Sequence, residues 1–127
     1  MFGEKEIIGQ TIVKIDSKKR IVLPKFTNAE LNDELLVLDM TKYNADYISI
    51  HTENSLNKCI DRLNEKYKHA NVDEKNKLRH IKRIIYTSVR DGIICDSNRR
   101  ISLSGVSEEI NEFICIGCKD HIKLKIK

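Results

Sequence analysis

The sequence predicts an α+β, β-rich fold in which two short β-units form an intrachain pseudo-dimer joined by a helical hairpin. Three observations predict it. Ile15-Asp16-Ser17-Lys18-Lys19-Arg20-Ile21-Val22-Leu23 recurs eighty positions later as Cys95-Asp96-Ser97-Asn98-Arg99-Arg100-Ile101-Ser102-Leu103. The stretch between the copies changes its apolar spacing from that of strands to that of helices. One Pro and five Gly in 127 residues, with 40% hydrophobic residues, argue for order through most of the chain. The expected division is a first β-unit over 1–52, a helical hairpin over 53–91 and a second β-unit over 92–127.

In the first unit, residues 11–15 and 20–23 are rich in β-branched side chains and read as strands. Asp16-Ser17-Lys18-Lys19 between them reads as a turn, because Asp and Ser can bond their own backbone. Pro24 stops the second strand, and 24–31 suits one or two helical turns. Residues 34–40 and 46–51 follow as a strand pair, with a turn around Lys42-Tyr43-Asn44. The middle then turns helical. Leu56, Cys59, Ile60, Leu63 and Tyr67 fall on one stripe. Asn71 with Glu74 three residues on marks the start of a second helix, with Leu78, Ile81, Ile84 and Ile85 on one face. Asp91-Gly92 is expected to end that helix. In the second unit, 110–116 resembles 31–38, and 121–126 resembles 46–50. Four short strands with one apolar face leave that face wet, so the second copy is the nearest cover for the first.

Composition narrows the class further. No run approaches a membrane span, and Met1-Phe2-Gly3-Glu4-Lys5-Glu6 has neither the basic region nor the apolar stretch of a signal peptide, so a cytoplasmic protein is expected. The four cysteines, Cys59, Cys95, Cys115 and Cys118, are expected as reduced thiols. Cys115-Ile116-Gly117-Cys118 with His121, and Cys95 as a fourth group, has the ligand types of a zinc site. The counterpart segment 37–40 has no Cys, however, and core packing is the simpler account, so no metal and no cofactor are expected. His51, His69 and His80 are isolated and receive no role. No nucleophile elbow, P-loop, zinc-helix motif or dinucleotide fingerprint is present, so the chain does not read as an enzyme and no small-molecule substrate is expected.

Charge is uneven. Residues 56–92 carry ten Lys and Arg against five Asp and Glu, while the flanking units are nearly balanced. Lys14, Lys18, Lys19, Arg20 and Lys25 gather around the first turn, and Arg99 and Arg100 around the second, which gives a two-lobed basic surface if the units pack symmetrically. Such groups contact phosphates, and Arg can read guanine in the major groove. Asp16 and Asp96, each four residues before an Arg, are assigned a structural role: capping the turn and aiming the guanidinium. The competing reading is that both Asp/Arg pairs are fold-stabilising ion pairs and that Lys18, Lys19 and Arg99 are solvated turn residues.

The doubled Asp-x-x-x-Arg, Asp16/Arg20 and Asp96/Arg100, separated by a helical hairpin ending Arg83-Ile84-Ile85-Tyr86-Thr87-Ser88 and preceded by Met1-Phe2-Gly3, resembles the MraZ family of AbrB-like (SpoVT/MazE) swapped-hairpin DNA-binding proteins. The similarity runs from Gly9 to the last strand. It departs at Lys19 and Arg99, where the family usually has Gly, at Ser104, where it usually has Pro, and in lacking a terminal helix after the last strand. The resemblance implies a cytoplasmic, nucleoid-associated transcriptional regulator of a division and cell-wall gene cluster. It also implies a ring homo-oligomer that binds direct repeats in promoter double-stranded DNA, with Arg20 and Arg100 as contacts. Two alternatives are a structural or interaction ring of the same fold that does not bind DNA, and an antitoxin-like relative.

Overall fold

Alternating apolar residues decide which side of each strand is buried, and they do so alike in the two copies. The computed structural model describes residues 1–127 and has a mixed, β-rich α+β fold. The first copy supplies β1 (Gln10–Lys14), β2 (Arg20–Val22), β3 (Glu34–Asp39) and β4 (Tyr47–His51); helices α1 (Glu53–Lys68) and α2 (Val72–Ser88) follow. The second copy supplies β5 (Val89–Ile94), β6 (Arg100–Ser102), β7 (Glu112–Gly117) and β8 (His121–Ile126).

Six strands form one antiparallel sheet in the order β1-β7-β8-β4-β3-β5, and β2 pairs with β6 in a separate two-stranded ribbon. Exchanging each strand for its counterpart in the other copy returns the same order read backwards. The first strand of each copy is not paired within its own unit: β1 lies beside β7, and β5 beside β3. Neither unit is therefore a closed sheet without the other.

The core lies between sheet and ribbon. Leu35, Val37, Ile48, Ile50, Phe113, Cys115, Ile122 and Leu124 point inward from the sheet and meet Ile21, Leu23, Ile101 and Leu103 from the ribbon and its exits. Phe2 and Ile7 of the N-terminal arm are buried in the same core, an arm for which the repeat pattern gives no signal. The opposite side of β3 presents Leu36 and Leu38 to Leu56 of α1 and Ile85 of α2. Ribbon and helices thus lie on opposite faces of the sheet.

Both helices begin on side-chain caps. Thr52 Oγ1 accepts the Ser55 N–H at 3.1 Å. Asn71 Oδ1 accepts the Glu74 N–H at 2.9 Å while Asn71 Nδ2 donates to Glu74 Oε1 at 2.8 Å, the reciprocal cap that the Asn71/Glu74 spacing predicts. Burial along the apolar stripes is thin: Leu56 and Ile85 are buried, but Ile81 is 40% exposed. The helical turn expected after Pro24 is a single 3-10 turn at Lys25–Thr27, and the turn expected around Lys42-Tyr43-Asn44 is a second one, Met40–Tyr43, closed by Asn44. One expectation needs correction. Asp91-Gly92 does not end α2, which stops at Ser88; it lies within β5, at a register shift opposite Leu35 and Val37. Gly92 there has φ +67, a conformation that lets the chain bulge and continue as an edge strand.

Gly117 marks a close backbone approach. A Cβ at this position would stand 2.5 Å from the Ile7 carbonyl oxygen, where the N-terminal arm crosses β7. Gly117→Ala is expected to destabilise the protein by about 1–3 kcal/mol through overpacking against backbone, read as a lower denaturant midpoint with unchanged slope.

His51, isolated in the sequence, is buried directly across from His121 in the β4–β8 register. The two rings stack with centroids 4.4 Å apart and planes at 16°. His51 Nδ1 lies 3.1 Å from Ser55 Oγ of α1 and Nε2 lies 3.0 Å from Ser49 Oγ, while His121 Nδ1 is 2.8 Å from Asp120 Oδ1. Burial, aided by His121 and Arg62 and opposed by Asp120, pushes the His51 imidazole down to about 4. Unfolded, it titrates near its ordinary value of about 6.5, so its contribution is fully present above that pH and lost as pH falls toward 4. The loss is expected to amount to about 3 kcal/mol, followed by denaturant midpoints across this range, and His51→Gln should flatten it.

Candidate nucleic-acid interface

The two Asp-initiated turns fold alike. Asp16 Oδ1 accepts the N–H of Lys18 at 2.9 Å and of Arg20 at 2.8 Å, and Oδ2 accepts Arg20 Nε at 2.9 Å. Asp96 Oδ1 accepts the N–H of Asn98 at 2.9 Å and of Arg100 at 2.8 Å, and Oδ2 accepts Arg100 Nε at 2.8 Å. These donors, with the Arg backbone N–H foremost, hold both carboxyls below the usual carboxylate range. Each Asp closes its turn and fixes one edge of the guanidinium it precedes, the structural role that the spacing predicts.

The turns also latch the copies together. Lys19 and Arg99 have φ 60 and 58, the left-handed region. In that conformation the Lys19 carbonyl accepts the Leu103 N–H and the Arg99 carbonyl accepts the Leu23 N–H, both at 2.7 Å. Arg99 Nε makes a further bond to the Leu23 carbonyl at 3.1 Å, which Lys19 does not match. Arg99 is therefore partly committed to holding the ribbon.

In the ribbon, Arg20 pairs with Ser102, Ile21 with Ile101 and Val22 with Arg100. Ile21 and Ile101 point into the core, so Arg20, Val22, Arg100 and Ser102 share the outer face. Arg20 and Arg100 are diagonal neighbours, roughly 7–8 Å apart on such a ladder. Their side chains are 29% and 31% exposed. Asp engages only Nε, which leaves the Nη edge of both guanidinium groups without a protein partner.

Of the remaining candidates, Lys18 is exposed at the first turn and its counterpart in the second copy is the neutral Asn98. Lys25 is exposed just beyond β2. Lys14 does not join this group. It lies on the sheet face away from the core, across from Glu112, whose carboxylate is 3.9 Å from its Nζ and 3.3 Å from Lys127 Nζ.

Cys95 and Cys115 are core residues, and burial pushes the Cys115 thiol up to about 12. Cys118 is half-buried, and His121 is engaged with His51 and Asp120. The structure places no three His, Cys, Asp or Glu side chains where they can hold a metal. No helix is long and apolar enough to cross a membrane. Sequence reasoning missed the pairing of the two turns with each other across the ribbon; the shared Arg-Ile alternation of the repeat is the signal that carries it. No family model and no curated protein matches the chain.

The left-handed backbone at Lys19 gives a prediction that separates turn geometry from charge. Lys19→Gly is expected to be more stable than Lys19→Ala by about 1 kcal/mol, the reverse of the usual order, because only Ala keeps a Cβ in this conformation. Paired chemical denaturation curves measure the difference.

Proposed function

We propose that the protein is a sequence-specific DNA-binding transcriptional regulator of the MraZ type. On this reading its two units form an AbrB-like swapped-hairpin pseudo-dimer, and the ribbon formed by β2 and β6 meets the DNA. The observation that carries the proposal is the pair of guanidinium groups on the outer face of that ribbon, each held at Nε by its own Asp and free along its Nη edge. A two-stranded ribbon fits the major groove, and a positioned Arg fork matches the two acceptors on the major-groove edge of guanine. Lys18, Lys19 and Lys25 then serve phosphates beside the groove, and Asp16 and Asp96 set the aim. The palindromic strand order supports the swapped-hairpin assignment.

One protomer offers few contacts, so useful affinity calls for several on one DNA. Self-association into a ring is supported by β1, an unpaired sheet edge that carries exposed Ile12 and follows exposed Ile8. The proposal places the protein in the cytoplasm, on the nucleoid, at direct repeats in a promoter, and by resemblance at one serving division and cell-wall genes.

Fluorescence anisotropy of labelled DNA from upstream of this protein's own gene, against a scrambled duplex at two salt concentrations, tests it. Wild type should prefer the native duplex and weaken with salt. Arg20→Ala with Arg100→Ala should lower specific affinity by at least tenfold while fold and oligomeric state persist, and Arg20→Lys with Arg100→Lys should retain salt-sensitive but less selective binding. Binding of wild type to neither duplex would point instead to an interaction ring. Unfolding or dissociation of both double variants would make the arginines structural.

A further inference from the structure

The largest uncompensated charge on the molecule is not on the ribbon. Between Lys75 and Arg83, α2 carries Lys75, Lys77, Arg79, Lys82 and Arg83, and no acidic residue follows until Asp91. None of these five cations has a carboxylate within ion-pair distance. The ion pairs of the hairpin are at the end of α1, where Glu65 meets Lys68 and His69.

Helical spacing sorts the cations. Lys75, Arg79, Lys82 and Arg83, followed by Tyr86, recur at intervals of three, four and seven residues and so share one flank. That flank faces Tyr67 of α1: Lys75 Nζ lies 5.3 Å and the Arg79 guanidinium 5.9 Å from its ring centre. Arg79 Nη2 donates to the Tyr67 hydroxyl at 2.8 Å, and Lys82 Nζ donates to Asn64 Oδ1 at 2.7 Å. Both partners are neutral, so they position the cations without cancelling them. Hydrogen bonding from Arg79, with its charge and those of Lys75 and Lys82, holds the Tyr67 hydroxyl below its ordinary value. Tyr67, Arg79, Lys82, Arg83 and Tyr86 together line an open groove of about 410 Å³, with Tyr86 61% exposed.

Like charges one turn apart repel, so this flank works against the stability of its own helix. A polyanion relieves that repulsion. Among polyanions a nucleic-acid backbone fits best, because the cations run in a row at about one per turn and two tyrosine rings border them. A lipid surface would need a continuous apolar face beside the cations, whereas Ile85 is buried against β3, Leu78 is half-buried, and the exposed Val72, Ile81 and Tyr86 stand nine and five residues apart, too scattered to form one. We propose that the flank of α2 facing α1 is a second nucleic-acid site, which grips a phosphate backbone through Lys75, Arg79, Lys82 and Arg83. The hairpin packs on Leu36 and Leu38, the ribbon over Leu35 and Val37, so the two surfaces lie on opposite sides of the sheet. The second site therefore engages a different stretch of nucleic acid and stands independently of what the ribbon does.

The test uses the full chain and a labelled 20-base-pair duplex of arbitrary sequence over a salt series. Four proteins are compared: wild type, Arg20→Ala/Arg100→Ala, Lys75→Gln/Arg79→Gln/Arg83→Gln, and the combination. The hairpin substitutions are expected to lower the slope of log affinity against log salt by about 2.7, about 0.9 for each of three phosphate contacts, in both backgrounds. Helicity by circular dichroism and elution volume should not change. If the triple variant loses helicity, the single Arg83→Gln carries the test, with an expected slope change of about 0.9. An unchanged slope overturns the proposal. So does a shift of the hairpin variant to a smaller species, which assigns the cations to a subunit contact. Loss of binding to phosphatidylserine-containing vesicles with DNA affinity intact overturns it in favour of a lipid surface. Failure of the ribbon reading shows separately, as unaltered discrimination between native and scrambled duplexes by Arg20→Ala/Arg100→Ala.

Discussion

Pairing of β2 with β6 is the interaction on which the rest of the structure depends. Each strand is three residues long and buries one side chain of its own, far too little to stand alone. Paired with each other, and extended by the Leu23–Arg99 and Leu103–Lys19 hydrogen bonds, the two strands become a lid over the six-stranded sheet. The lid buries Ile21, Leu23, Ile101 and Leu103. At about 1.5–3 kcal/mol per buried aliphatic side chain, those four residues rival the whole net stability of a typical small domain, so neither copy keeps its core without the other. The same register sets Arg20 and Arg100 diagonally on the outer face, so the geometry of the candidate interface is a by-product of closing the core.

The two copies build the turn alike but differ around it. Asp16 and Asp96 make matching bonds, whereas Lys18 has neutral Asn98 as its counterpart, and only Arg99 of the left-handed pair bonds back to the ribbon through its side chain. The hairpin breaks the symmetry further, because it occurs once. It buries Leu38 and packs on half-buried Leu36 on one half of the sheet, while their counterparts Ile114 and Ile116 on the other half are both half-buried beside exposed Ile12. The monomer therefore has one finished outer sheet face and one unfinished, next to the free β1 edge.

The repeat made the strands, the Asp-initiated turns and the helix caps legible, since each rests on residues within a few positions of one another. Asn71 with Glu74 and Asp16 with Arg20 are of this kind. What was not legible depends on contacts between distant segments. His51 looks isolated because its partner, His121, is brought beside it by the pairing of equivalent strands. Phe2 and Ile7 carry no pattern of their own and are buried because the arm crosses Gly117. Lys14 looks like part of the basic turn in sequence but alternates to the other face of β1. The end of α2 was misplaced because Asp91-Gly92 is a turn signal in sequence, yet the chain at this point is already paired with β3 and needs only a bulge.

Charge is distributed so that recognition and attraction fall on different surfaces. On the ribbon each guanidinium is matched by its own carboxylate, so Arg20 and Arg100 with Asp16 and Asp96 add almost no net field; what they offer is a fixed direction for the Nη edge. On α2 none of the five cations is paired with a carboxylate, so their charge is not cancelled, and only Arg79 and Lys82 are held by hydrogen bonds, to neutral partners. Base contacts need geometry, and phosphate contacts need charge. The proposed reading therefore divides the two tasks physically: the ribbon discriminates at modest electrostatic strength, and the hairpin contributes most of the salt-dependent attraction. Shielding by salt then weakens the second surface more than the first, so selectivity should rise, relative to total binding, as ionic strength increases.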